Sequence, residues 1–63
     1  MTEQLAAYIA QKDQIDQLLA KLVSHSADHF GEGPHSITWA NVGSLEYVRE
    51  QLENIVNFMG LNQ

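Results

Sequence analysis

The sequence contains no cysteine, a single proline and only five aromatic residues: one tryptophan, two tyrosines and two phenylalanines. Basic residues are also scarce, with three Lys and Arg against eight Asp and Glu, for a formal net charge of −5 at pH 7. Each shortage excludes something. Without cysteine there is neither a disulfide framework nor a thiolate metal site. Too few cations remain to neutralise phosphates, so direct nucleic-acid binding and docking on anionic membranes are not expected. Long apolar runs are missing as well. The stretch Leu5 to Ala10 is far below the ~20 residues of a membrane helix, and no basic flank precedes it as in an export signal. A cytoplasmic protein without membrane contact is expected.

The 63 residues leave room for one domain, taken as 1–63. A chain this short buries only about 60% of its unfolded surface, so its own core is marginal. With disulfides excluded, the routes to stability are association, a histidine or carboxylate metal site, or very good helix packing.

What is present is helical. From Thr2 to about Phe30, positions 5, 8, 12, 15, 19, 22, 26 and 29 alternate by three and four, the spacing of one helical face. Ala, Leu, Gln and Lys fill the interior, with no Gly or Pro to interrupt it. Thr2 can cap the start, Glu3 suits the positive end of the dipole, and Gly31 can supply a left-handed C′ position. Gly31 to Gly43 then reads as an ordered loop, with a short helical turn after Ser36 or Thr38, that folds Trp39 back onto the helices. From Ser44 to Met59 helical spacing returns through Leu45, Val48, Leu52, Ile55, Val56 and Met59. Ser44 is the expected cap and Gly60 the stop. The fold expected is an all-α helical hairpin with a core of Leu22, Phe30, Trp39, Leu45, Val48, Leu52 and Ile55.

Length then points to self-association. At 1.5 Å per residue the first helix is about 40 Å long and the second about 24 Å. In a hairpin, the N-terminal half of the first helix, with Leu5, Tyr8, Ile9 and Ile15, would run beyond the cover of the second, and Leu5, Tyr8, Ile9, Lys12, Ile15 and Leu19 are the interface expected there. An uncovered apolar line marks an interface, so a homodimeric helical bundle is expected. Lys12 lies on that line, where a polar residue either fixes register or snorkels at the edge.

Chemistry-bearing residues are few. His25, His29 and His35 share the spacing of the H-E-x-x-H-x-x-G-x-x-H zinc proteases. Ser26, however, stands where the general-base Glu is required, and Pro34 precedes the third histidine, so no protease is expected. A non-catalytic Zn²⁺ or Ni²⁺ site on His25 and His29 of a dimer, joined by Asp28, Glu32 or His35, is the alternative. Against it, histidines near a helix C-terminus interact favourably with the dipole and the last carbonyls. Glu46, Glu50 and Glu53 form an acidic stripe on the second helix, either a solvated surface or a face for a basic partner. Ser24, Ser26 and Ser36 lie near the histidines without a glycine elbow. Gly31, Gly33 and Gly43 fit neither a phosphate loop nor a dinucleotide fingerprint.

The run Asp28-His29-Phe30-Gly31, followed by Trp39-Ala40-Asn41-Val42-Gly43-Ser44-Leu45, resembles short bacterial and phage-type two-helix proteins carrying HFG…W-x-x-VG-[ST]-L. The resemblance covers about a third of the chain. It implies a specifically structured centre and a phage or mobile-element setting, and it assigns no functional residues. In size and helix pairing the chain also resembles small RNA-regulating hairpin dimers, whose basic RNA-facing residues have no counterpart here.

The function expected is therefore a non-enzymatic, homo-oligomeric interaction or regulatory module, without a cofactor, that binds itself and a further protein. A metal-binding protein and an acidic nucleic-acid mimic are the alternatives.

Overall fold

The computed structural model describes residues 2–62. Helix α1 runs Glu3–Ala27 and helix α2 Trp39–Phe58, with a 3₁₀ turn at His29–Gly31 between them and no strand among the described residues. The protein is thus all-α. The chain divides after Glu32 into two units, each built on one helix.

α1 begins as its sequence dictates. Thr2 is extended and its side-chain oxygen accepts from the Leu5 amide at 3.1 Å, satisfying one of the orphan donors of the first turn. The helix stops at Ala27, ahead of the expected Phe30. The Asp28 amide is shared between the carbonyls of Ser24 and His25 at 3.3 and 3.2 Å. Then three consecutive residues adopt positive φ: His29 at 55°, Phe30 at 54° and Gly31 at 80°. Glycine takes this conformation freely, whereas the other two are held there at a cost. Two local bonds fix the turn, Gly31 N–H to the Asp28 carbonyl at 3.0 Å and Glu32 N–H to the His29 carbonyl at 3.1 Å.

The second unit opens with a tight turn around Pro34. The Ser36 amide and hydroxyl both donate to the Gly33 carbonyl, at 3.1 and 3.0 Å, and the Gly33 amide donates to Ser36 Oγ at 3.1 Å. Proline early in such a turn presets the backbone.

α2 starts earlier than expected, at Trp39 rather than around Ser44. Thr38 and Asn41 form a reciprocal capping box: Asn41 N–H donates to Thr38 Oγ1 at 3.2 Å and Thr38 N–H to Asn41 Oδ1 at 2.7 Å. The short helical turn expected after Thr38 is therefore the beginning of α2 itself, which takes in residues 39–43 of the expected loop. α2 ends as anticipated at Gly60, whose φ of 71° closes a Schellman motif. Leu61 N–H reaches the Val56 carbonyl and Gly60 N–H the Asn57 carbonyl, at 3.0 and 3.1 Å.

With 25 and 20 residues, the helices are about 38 and about 30 Å long. The length mismatch expected from the sequence shrinks accordingly.

Candidate interaction surfaces

No described residue is buried in the single chain. Within each unit the residues of the expected core stay accessible. Leu22, Leu45 and Leu52 remain 39–41% exposed and Ile55 57% exposed, while Phe30 and Val48 are half-buried. The physical reason is plain: one helix cannot enclose its own side chains, so each unit ends in an uncovered stripe.

On α1 that stripe holds Leu5, Tyr8, Ile9, Ile15 and Leu19, between 40% and 70% exposed. Lys12 lies on the same line, but its ammonium is drawn aside to Asp16, 2.7 Å away and one turn on. The hydrogen bond and charge of Asp16 raise the Lys12 pKa, with smaller support from Asp13 and Tyr8. The cation thus leans to the edge of the stripe, as the snorkelling alternative required.

α2 has two distinct faces. Leu45, Val48, Leu52, Ile55 and Met59 follow one side at three-four spacing. At 100° per residue, Trp39, Glu46 and Glu50 fall on the opposite side. Trp39 is 87% exposed. Trp39 is the first residue of α2 rather than part of the loop, and on that helix it projects away from the aliphatic stripe. Glu53, at the margin of the acidic face, accepts from Arg49 at 2.6 Å, and this pairing raises the arginine's pKa further above its usual range. Glu46 and Glu50 add smaller contributions in the same direction. The acidic stripe of Glu46, Glu50 and Glu53 is thus an exposed helical face with one cation at its edge.

The histidines are deployed differently. His25 sits in the last turn of α1, and its ring meets Phe30 edge-to-face, with centroids 5.4 Å apart and planes at 89°. His29 is spent on the left-handed turn, and His35 lies beside Pro34 in the second unit. Among the described residues no group of three or more His, Asp or Glu is placed to hold a metal ion. His25 and His29 belong to the first unit and His35 to the second. An open depression of about 500 Å³ lies at the end of α1, lined by Ala20, Lys21, Ser24, His25 and Asp28. Ser24, His25 and Asp28 are neighbours there, but the ring contact of His25 is to Phe30. A nucleophile–base–orienter arrangement would need hydrogen bonds linking the three.

What sequence reasoning missed is the exposure of Trp39 and the His25–Phe30 contact. The first was legible in Thr38 and Asn41, whose three-residue spacing allows a capping box. The second follows from a backbone conformation that nothing in the residue types demands.

No helix among the described residues is long and apolar enough to cross a membrane. Comparison with known proteins finds no matching family model, no curated relative and no similar solved structure.

Proposed function

We propose that this chain is a small acidic, non-enzymatic interaction module that acts as a homo-oligomer and presents a second face to another protein. One observation carries it: the apolar stripe of α1, from Leu5 through Leu19, is uncovered within its own unit, with Tyr8 as much as 70% exposed. A contiguous apolar line bordered by polar residues is what a protein interface offers. Tyrosine at its centre adds a large, rigid anchor of the kind enriched in such interfaces.

The partner face is the acidic side of α2. Glu46, Glu50 and Glu53 project there, and the exposed Trp39 stands at its N-terminal end. A basic protein surface complements that charge, and tryptophan both anchors interfaces and takes a cation against its ring. The resemblance of the central HFG…W-x-x-VG-S-L run to short phage-type proteins adds a phage or mobile-element setting to this proposal and assigns no role.

Light scattering at micromolar concentration is expected to give a particle of at least twice 7.1 kDa. A 7 kDa particle overturns the homo-oligomer. The partner face is tested by Glu46→Gln/Glu50→Gln, which should weaken capture of the natural partner and flatten its salt dependence. Unchanged binding would put the partner elsewhere.

A further inference from the structure

We propose that the α1 stripe is covered by the α1 helix of a second copy, running antiparallel, with the two-fold axis passing between Asp13 and Gln14. This rests on the homo-oligomer proposed above and specifies which surface makes it and how.

The positions Leu5, Tyr8, Lys12, Ile15, Leu19 and Leu22 alternate strictly by three and four, the repeat that packs one helix on another at a shallow left-handed angle. A parallel, in-register pair sets each Lys12 against the Lys12 of the second copy, two like charges in one layer. The antiparallel pair removes that clash. Centred between Asp13 and Gln14, it stacks Leu5 on the second copy's Leu22, Tyr8 on Leu19, and Lys12 on Ile15. Each layer then has an aliphatic member, and Ser26 and His29 fall beyond the overlap. Sliding one heptad along would instead set Leu5 against His29 and Tyr8 against Ser26.

The side-chain geometry agrees. The Lys12 ammonium is already held by Asp16 at 2.7 Å, which turns the charge to the flank. The aliphatic stem of Lys12 is left to lie over Ile15 of the second copy. Charge favours α1 over the remainder of the chain for self-pairing. α1 carries Glu3, Asp13 and Asp16 against Lys12 and Lys21, close to neutral, while most of the −5 resides beyond it. The available area is also sufficient. The five apolar seam side chains, with Ile9, are 39–70% exposed. They offer on the order of 600 Å² per copy, near the ~800 Å² that each partner contributes to a standard stable interface.

The chain has no cysteine, so single spin labels can be placed at will. Glu3→Cys and Gln14→Cys put a label on the outer side of α1, near its end and at the proposed axis. Circular dichroism verifies that each labelled chain keeps its helix content. In the antiparallel pair the two labels at position 14 stand level, whereas the two at position 3 lie about 30 Å apart along the axis. The interspin distance at position 3 is therefore expected to be clearly the longer. A dimer with equal distances at both positions overturns the antiparallel pairing and leaves the homo-oligomer standing. So does one with the longer distance at position 14. A monomer by light scattering, with no interspin distance at either position, removes both.

Discussion

At the scale of the residue, the most constrained stretch is His29-Phe30-Gly31, three left-handed residues in succession. Only Gly31 adopts this backbone without steric penalty. A Cβ at Gly31 would meet His25 Cε1 at 3.6 Å, an ordinary contact, so the obstacle to any side chain is its φ of 80°. Gly31→Ala should therefore destabilise the first unit by about 1–2 kcal/mol, read as a lowered thermal midpoint in circular dichroism; an unchanged midpoint would show that the turn is not held. His29 and Phe30 bear the same torsion with side chains attached. The edge-to-face contact of Phe30 with His25 offsets part of that cost, since such ring pairs contribute about 0.5–1.5 kcal/mol. Trp39 is the opposite case. In a core position its loss would cost about 3–5 kcal/mol. At 87% exposure, Trp39→Ala is expected to shift stability by no more than about 0.5 kcal/mol. A larger loss in a chemical melt would place Trp39 in a contact made on assembly.

At the scale of the element, α1 was legible almost throughout because its periodicity and its caps agree. The three-four spacing from Leu5 onward and the capping threonine both point to one helix from Glu3, and the structure has it. Its last turn was not legible. Phe30 continues the apolar pattern, and residue type alone does not reveal that it enters a left-handed turn. α2 was half legible. The stripe from Leu45 to Met59 and the stop at Gly60 follow from the same rules, but the continuity of the turn after Thr38 with that helix was hidden. Gly43 looked like loop punctuation, and the customary capping box carries Glu or Gln where this one carries Asn41. A glycine inside a helix costs about 1 kcal/mol, and the Thr38 cap contributes a similar amount in return. The start of α2 thus hangs on that cap. Thr38→Ala is expected to cost about 1 kcal/mol and to fray Trp39 to Gly43, seen as faster amide exchange there than in the parent. Uniform exchange across α2 would mean that the cap is dispensable. The acidic face was visible as a pattern of Glu46, Glu50 and Glu53, whereas its alignment with Trp39 appears only once both lie on one helix.

At the scale of the whole molecule, the question is how so small a chain keeps its shape. Neither unit buries a described side chain within itself, so little of the stabilisation that burial brings is available to either helix alone. Helices of 25 and 20 residues are long enough to form partially in water, yet in proteins most helical stability comes from packing an apolar face. If that packing is provided by a second copy, folding and association are one equilibrium. Stability then becomes a function of protein concentration. The thermal midpoint should rise steadily as the chain is raised from low micromolar to hundreds of micromolar, and the melts of a monomer would superimpose. Ile15 tests where the coupling resides. It shares a layer with the second copy's Lys12 in the proposed seam, so a cation introduced there would face a like charge in both central layers. Ile15→Lys should therefore abolish the concentration dependence and leave a weakly helical monomer. Tyr47→Glu, away from the stripe on α2, should leave that dependence intact. Were both variants to behave alike, the cover over α1 would not be another α1.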